Sequence, residues 1–213
     1  MRIQLSILFF LIHAAIAHCQ EPMFKAGSDI RFLVEYYDSV NSVIDTIRIT
    51  TTGKAWEVDP DNQIEIIYSF YPNSFDSTRF SYLPSQGWVK TETTGAIDNA
   101  ELCWFHPPRH NQYRILETAP FPRVRFPLTL NDSYSRILLI GEGWGEFSGL
   151  KFIMHYKVVS CVNEDWTIEA EGYPEPDPEK VNTVVFIYNQ SLGFIKFDYY
   201  FHHGTRITMN RME

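Results

Sequence analysis

Leu150-Lys-Phe-Ile-Met-His-Tyr-Lys-Val-Val-Ser-Cys-Val162, the loop Asn163-Glu-Asp165, then Trp166-Thr-Ile-Glu-Ala-Glu-Gly172 decide the fold. In an extended chain, side chains alternate between faces, so Leu150, Phe152, Met154, Tyr156, Val158, Ser160 and Val162 share one side. Lys151, His155 and Lys157 fall on the other. Trp166, Ile168 and Ala170 repeat the pattern in the second run. A three-residue loop places Val162 opposite Trp166 and Val158 opposite Ala170, and sets Lys157 across from Glu171 on the polar face. The two runs read as an antiparallel hairpin.

The same period of two extends through most of the chain from Ile30 onward. Ile30–Tyr37 and Ile44–Thr52 flank a polar loop at 38–42. Lys54–Val58 and Gln63–Tyr71 flank Asp59-Pro-Asp-Asn62, where Pro60 presets the second position of a type I turn. Further strands are expected at Gly87–Thr93, Glu101–His106, Asn111–Thr118, Ser135–Ile140, Asn182–Tyr188, Gly193–Phe201 and Thr205–Arg211, the last two turning at His203-Gly204. Tyr173–Lys180 carries three prolines among charges and reads as an exposed loop. The expected architecture is all-β, a mainly antiparallel meander forming a barrel, half-barrel or sandwich.

Residues 1–17 have the layout of a secretory signal: Arg2, an apolar stretch from Ile3 to Ile12, and Ala15-Ile-Ala17 as the small-x-small cleavage site. The apolar stretch is too short to span a bilayer, and no later run is long and apolar enough. The reading is a signal peptide at 1–17, a lead-in at 18–29 and one β domain at 30–213, exported to the periplasm or medium. Cys19, two residues past the cut, is the position where a lipid anchor would be attached, although His18 is a poor predecessor for it.

With 26 acidic against 18 basic residues, the chain has a formal charge of −8, which argues against nucleic acid as a partner. Aromatics at 15% provide ample surface for a core without disulfide or metal. Of the three cysteines, Cys103 and Cys161 are the pair an exported chain would bond.

Candidate contact residues concentrate between 103 and 123. Cys103-Trp-Phe-His-Pro-Pro-Arg-His110 ends a strand in a rigid Pro-Pro loop, and Ala119-Pro-Phe-Pro-Arg123 follows. Trp104, His106, Arg109, His110, Phe121 and Arg123 are the expected ligand or partner contacts, with Arg109 or Arg123 receiving an anionic group. The bland alternative makes the aromatics core and the charges solvated. Cys103, His106 and His110 could be read as zinc ligands only if they converge around an ion. Asp59, Asp61 and Asn62 lack the Gly and distal Glu of a calcium loop. Gly141-Glu-Gly-Trp-Gly145 reads as a tight turn, and no catalytic or cofactor-binding motif is visible.

The C-terminal run Tyr188-Asn-Gln-Ser-Leu-Gly-Phe-Ile-Lys-Phe-Asp-Tyr-Tyr200, followed by His203-Gly-Thr-Arg-Ile-Thr-Met209, resembles the closing hairpin of exported proteins of unknown function from Gram-negative bacteria of the Bacteroidetes type. The resemblance implies a curved sheet like that of lipoprotein carriers, with an apolar concave face, but no long helix is present here to plug it. The leading functional reading is an exported non-catalytic protein that binds an apolar or amphipathic ligand inside its curved sheet. A structural or protein-interaction module of the cell envelope is the alternative, using loops 107–108, 120–127 and 174–180. A hydrolase using His106 or His110 ranks third.

Overall fold

The computed structural model describes residues 22–40, 42–72, 89–142, 144 and 147–213. The signal segment, Cys19 and parts of the Gly87–Thr93 strand and the Gly141–Gly145 turn lie outside them. Among the described residues, twelve antiparallel strands form one sheet. The first six are β1 (Asp29–Tyr37), β2 (Ser42–Ala55), β3 (Ile64–Pro72), β4 (Thr91–Asp98), β5 (Leu102–Phe105) and β6 (Arg123–Arg125). The others are β7 (Ser133–Leu139), β8 (Lys151–Val162), β9 (Asp165–Pro174), β10 (Asn182–Asn189), β11 (Gly193–Tyr200) and β12 (Arg206–Arg211). The spatial order β6-β5-β4-β3-β2-β1-β12-β11-β10-β9-β8-β7 joins two consecutive meanders through the pairing of the first and last strands. The all-β antiparallel expectation holds, and the sheet is open, with β6 and β7 at its ends.

Local chemistry explains where the strand expectations moved. Gly53, at φ +76°, sits in an irregular stretch between the pairs Thr51–Ile66 and Ala55–Ile64, so β2 continues where two strands were expected. The β8–β9 turn contains two residues, not three. Asn163 and Glu164 both adopt positive φ, at 51° and 69°, the signature of a type I′ hairpin. The tip pair is therefore Val162 with Asp165, and an irregularity between Val158 and Ser160 puts Val158 opposite Ile168 and Tyr156 opposite Ala170. Lys157 consequently faces Glu169, and Glu171 faces His155. At the other end of β9, Tyr173 and Pro174 stay paired with β8, so the exposed loop begins after them.

Asn111–Thr118, expected as a strand, is a 3₁₀ helix. With the loops on either side it forms a plug over one end of the rolled sheet, where Tyr113 and Leu116 are buried. Polar bonds to several strands hold it. The Gln112 amide and the Tyr113 hydroxyl donate to buried Asp45 of β2. Tyr68 on β3 donates to the His106 carbonyl at 2.7 Å, and the Asn182 amide of β10 donates to the Thr118 carbonyl at 2.6 Å. The opposite end is covered by the lead-in: Met23 and Phe24 are buried, and the Phe24 N–H donates to Asp98 at 2.8 Å. Gly193 lets Met23 in, because a Cβ there would stand 2.6 Å from its sulfur.

Between these covers the two meanders interlock through aromatic rings. Phe105 meets Phe194 and Phe197 edge-on at 5.5 and 5.9 Å, and Phe32 meets Phe197 at 5.4 Å. The space left among Phe32, Tyr68, Phe105, Leu116 and Phe197 is about 10 Å³, no more than one water would need. Among the described residues, this part of the concave face is filled by the chain's own side chains and by the short 3₁₀ segment.

Cys103 and Cys161, the pair that would bond if the chain formed a disulfide, are both free thiols here. Cys103 is fully buried on β5, while Cys161 is exposed near the tip of the β8–β9 hairpin. Burial pushes the Cys103 thiol well above its usual range, which keeps it protonated. Among the described residues, no helix is long and apolar enough to cross a membrane.

Candidate functional site

Cys103 and Phe105 of β5 point into the core, so Trp104 between them points outward. Across the ladder Trp104 pairs with Ile97 of β4 and Arg123 of β6, which makes these three an outward row. At the other end of the sheet, Tyr134, Arg136 and Leu138 of β7 pair with Tyr156, Met154 and Phe152 of β8. Those β8 residues are buried, so the second row belongs to the inward face.

The two rows meet. The Tyr134 hydroxyl donates to the Arg123 carbonyl at 2.8 Å, and the Tyr156 hydroxyl donates to the Phe121 carbonyl at 3.1 Å. The Arg125 guanidinium stands 5.3 Å from the centre of the Tyr134 ring, a cation–π distance. The inward face of β7–β8 therefore lies over the outward face of β5–β6, and the sheet laps itself instead of closing edge to edge.

A cavity of about 230 Å³ remains under the lap. Its walls are mainly apolar, from Ile97, Trp104, Phe121, Leu138 and Met154, and two arginines, Arg123 and Arg136, reach it. The Nε of Arg123 and the Oε1 of Gln63, both at this cavity, are buried with no hydrogen-bond partner. Burial, then the neighbouring Arg136, hold the Arg123 guanidinium below its ordinary pKa. Among the described residues, the carboxylates bridged to arginines are Asp29, Glu92 and Asp198, and none of them pairs with Arg123, Arg125 or Arg136.

The sequence-derived contact residues thus divide into two groups. Trp104, Phe121 and Arg123 come together at the lapped cavity. Arg109 and His110 instead tie down the plug, and His106 borders both groups, its ring 4.8 Å from that of Phe121 and 6.3 Å from that of Trp104. Glu92, buried on β4, accepts from the Arg109 N–H at 2.9 Å and from Arg109 Nε at 3.1 Å, and it stands 2.9 Å from His110 Nδ1. Burial works to raise the Glu92 pKa, but His110 and Arg109 outweigh it and hold the carboxyl below its ordinary value. His106 Nε2 lies 3.4 Å from Glu117, and its Nδ1 lies 2.9 Å from the Pro107 carbonyl. Among the described residues, no three His, Cys, Asp or Glu side chains converge on a common point. Pro107, Pro108 and Pro120 to Pro122 are buried, which leaves little of those loops as contact surface.

No protein-family model and no curated protein matches the chain. Among solved structures, it is similar to a candidate exported protein with a YmcC-like fold from Bacteroides fragilis. The identity is 10%, the TM-score is 0.41, and the match covers 89% of this chain and 97% of the other.

The sequence reading missed Arg136, Leu138, Met154 and Tyr156 as cavity residues. One signal was available: in Tyr134-x-Arg136-x-Leu138-x-Ile140 a cation interrupts an otherwise apolar face of a strand. A larger depression, about 570 Å³, lies over the outer face of β8 to β10 beside Lys157, Glu169, Glu171 and Val185. It spreads over one sheet face, where the apolar floor of Tyr156, Ala170 and Val184 is ringed by Lys157, Glu169, Glu171 and Thr183 and no two layers of the sheet overlap. His155 there is engaged by Ser135 Oγ at 2.7 Å and by the Tyr173 hydroxyl at 3.2 Å.

Proposed function

We propose that this chain is an exported, non-catalytic β protein that holds one end of an amphipathic ligand under the lap of its sheet. The observation that carries the reading is the apolar-walled cavity between Trp104 and Leu138, where two layers of the sheet overlap, set against about 10 Å³ left among Phe32, Tyr68, Phe105, Leu116 and Phe197 of the core. Ligand binding thereby moves from the concave face, where the sequence alone had located it, to the seam. At about 230 Å³ the cavity is smaller than the roughly 300–1,000 Å³ that encloses a whole drug-sized ligand. It suits a headgroup and the first carbons of a chain, with the remainder left outside the cavity. The test is calorimetric titration with dodecanol, dodecyl maltoside and dodecanoate, on the native chain and on Leu138→Trp, which fills the cavity. Saturable binding of at least one amphiphile that Leu138→Trp abolishes supports the reading. No binding, or binding that survives the filled cavity, overturns it.

A further inference from the structure

We infer that the lapped cavity selects an anionic headgroup, a carboxylate or phosphate ester, on a single-chain amphiphile. The inference rests on the seam being the binding site and adds the chemistry that the site recognises.

Three arginines, Arg123, Arg125 and Arg136, converge on the lap in a chain whose formal charge is −8. Other arginines of the described fold have carboxylates in place: Arg48 with Asp29, Arg109 with Glu92 and Arg206 with Asp198. The three at the lap have none. Arg123 is partly buried and the neighbouring charge of Arg136 repels it, so the pair would gain from a shared counter-ion. Arg123 lines the cavity and its buried Nε has no hydrogen-bond partner, and a guanidinium presents its donors as a planar fork that matches a carboxylate or phosphate. Arg136 approaches from the opposite end of the sheet, so an anion between them would bridge the two overlapping layers. The apolar walls explain why the anion should carry a chain: Phe121, Leu138 and Met154 offer nothing to a free ion. Gln63, whose buried Oε1 also lacks a partner, supplies an acceptor for a protonated oxygen of the same headgroup or for a water it carries.

The experiment compares dodecanoate, dodecyl phosphate, dodecanol, inorganic phosphate and acetate by calorimetry, on the native chain and on Arg136→Gln. Arg136 is exposed, and thermal unfolding of the variant checks that the fold is kept. The expected result is that both anionic amphiphiles bind, dodecanol binds at least about tenfold more weakly, the free anions do not compete, and Arg136→Gln loses about tenfold for the anionic pair alone. Equal affinity for dodecanol and dodecanoate would overturn the headgroup inference while leaving amphiphile binding in place. Inorganic phosphate binding as tightly as dodecyl phosphate would overturn the requirement for a chain. If none of the ligands binds, both this inference and the proposed function fail.

Discussion

Replacing Glu92 with alanine should release the plug from β4. The carboxylate is 2% exposed, and it takes the Arg109 N–H, Arg109 Nε and the close approach of His110. Removing one partner of a fully buried charge pair costs about 3–5 kcal/mol. Here the Arg109 and His110 side chains are each 34% exposed, so water can recover part of what they lose. The expected cost is therefore about 2–3 kcal/mol, a large share of the roughly 5–15 kcal/mol that stabilises a typical domain. Glu92→Gln keeps the shape and one acceptor for the Arg109 N–H, and should cost about half as much.

The two substitutions also differ in how they respond to acid. Because His110 and Arg109 hold the folded carboxyl below its ordinary value of 4.5, the folded state binds fewer protons than the unfolded one across that interval. The contribution of the carboxylate is complete above about pH 4.5 and is lost as pH falls through the depressed folded value. The stability gap between native chain and Glu92→Gln should thus narrow between pH 6 and pH 3. Urea unfolding at a series of pH values measures both quantities. A cost below about 1 kcal/mol for Glu92→Ala, or a gap that does not change with pH, would refute the clamp.

Leu116→Ala, at a plug position 1% exposed, should lose about 2–5 kcal/mol in the same unfolding assay, because the cavity opens among fixed strands. Glu164→Gly should raise stability by about 0.5–1 kcal/mol, since it removes a side chain from a left-handed backbone position and creates the Asn-Gly pair that type I′ turns favour. With Cys19 replaced by serine, mass spectrometry after thiol labelling should find Cys161 modified in the folded protein and Cys103 only after denaturation. Two labels under native conditions would contradict the burial of Cys103.

The strands were legible because alternation is a local property, written into each run whatever it pairs with. Asn111–Thr118 misled for the same reason. Tyr113, Ile115 and Glu117 alternate like a strand, whereas Tyr113 and Leu116, three apart, are the pair that a 3₁₀ turn brings to one side. Nothing in eight residues says that the ends of other strands will supply Asp45, Glu92 and Asn182 as partners. Trp104 and Arg123 were found because they lie in a visibly unusual segment. Arg136 was not, because its significance depends on the opposite end of the sheet arriving above β5 and β6, a contact no period in the chain encodes. The short turn at Asn163-Glu164 was hidden for a different reason. Glutamate is an uncommon occupant of positive φ, so three polar residues read more naturally as the loop.

The order of the strands has a consequence for how the chain assembles. Each meander can form by neighbours pairing in sequence, from β1 to β6 and from β7 to β12, with the longest connections at 73–90 and 106–122. The backbone ladder joins the two halves between β1 and β12, from Phe32 opposite Arg211 to Tyr37 opposite Arg206, pairs that span nearly the whole described length. Closing so long a loop costs entropy before any contact rewards it, which makes this pairing the slow event in an otherwise local topology. It also leaves the first and last strands side by side. The chain could therefore be sewn together there and reopened between β6 and β7, near 128–131, with every ladder preserved. Such a permutant would make the central junction local and should fold faster than the natural order.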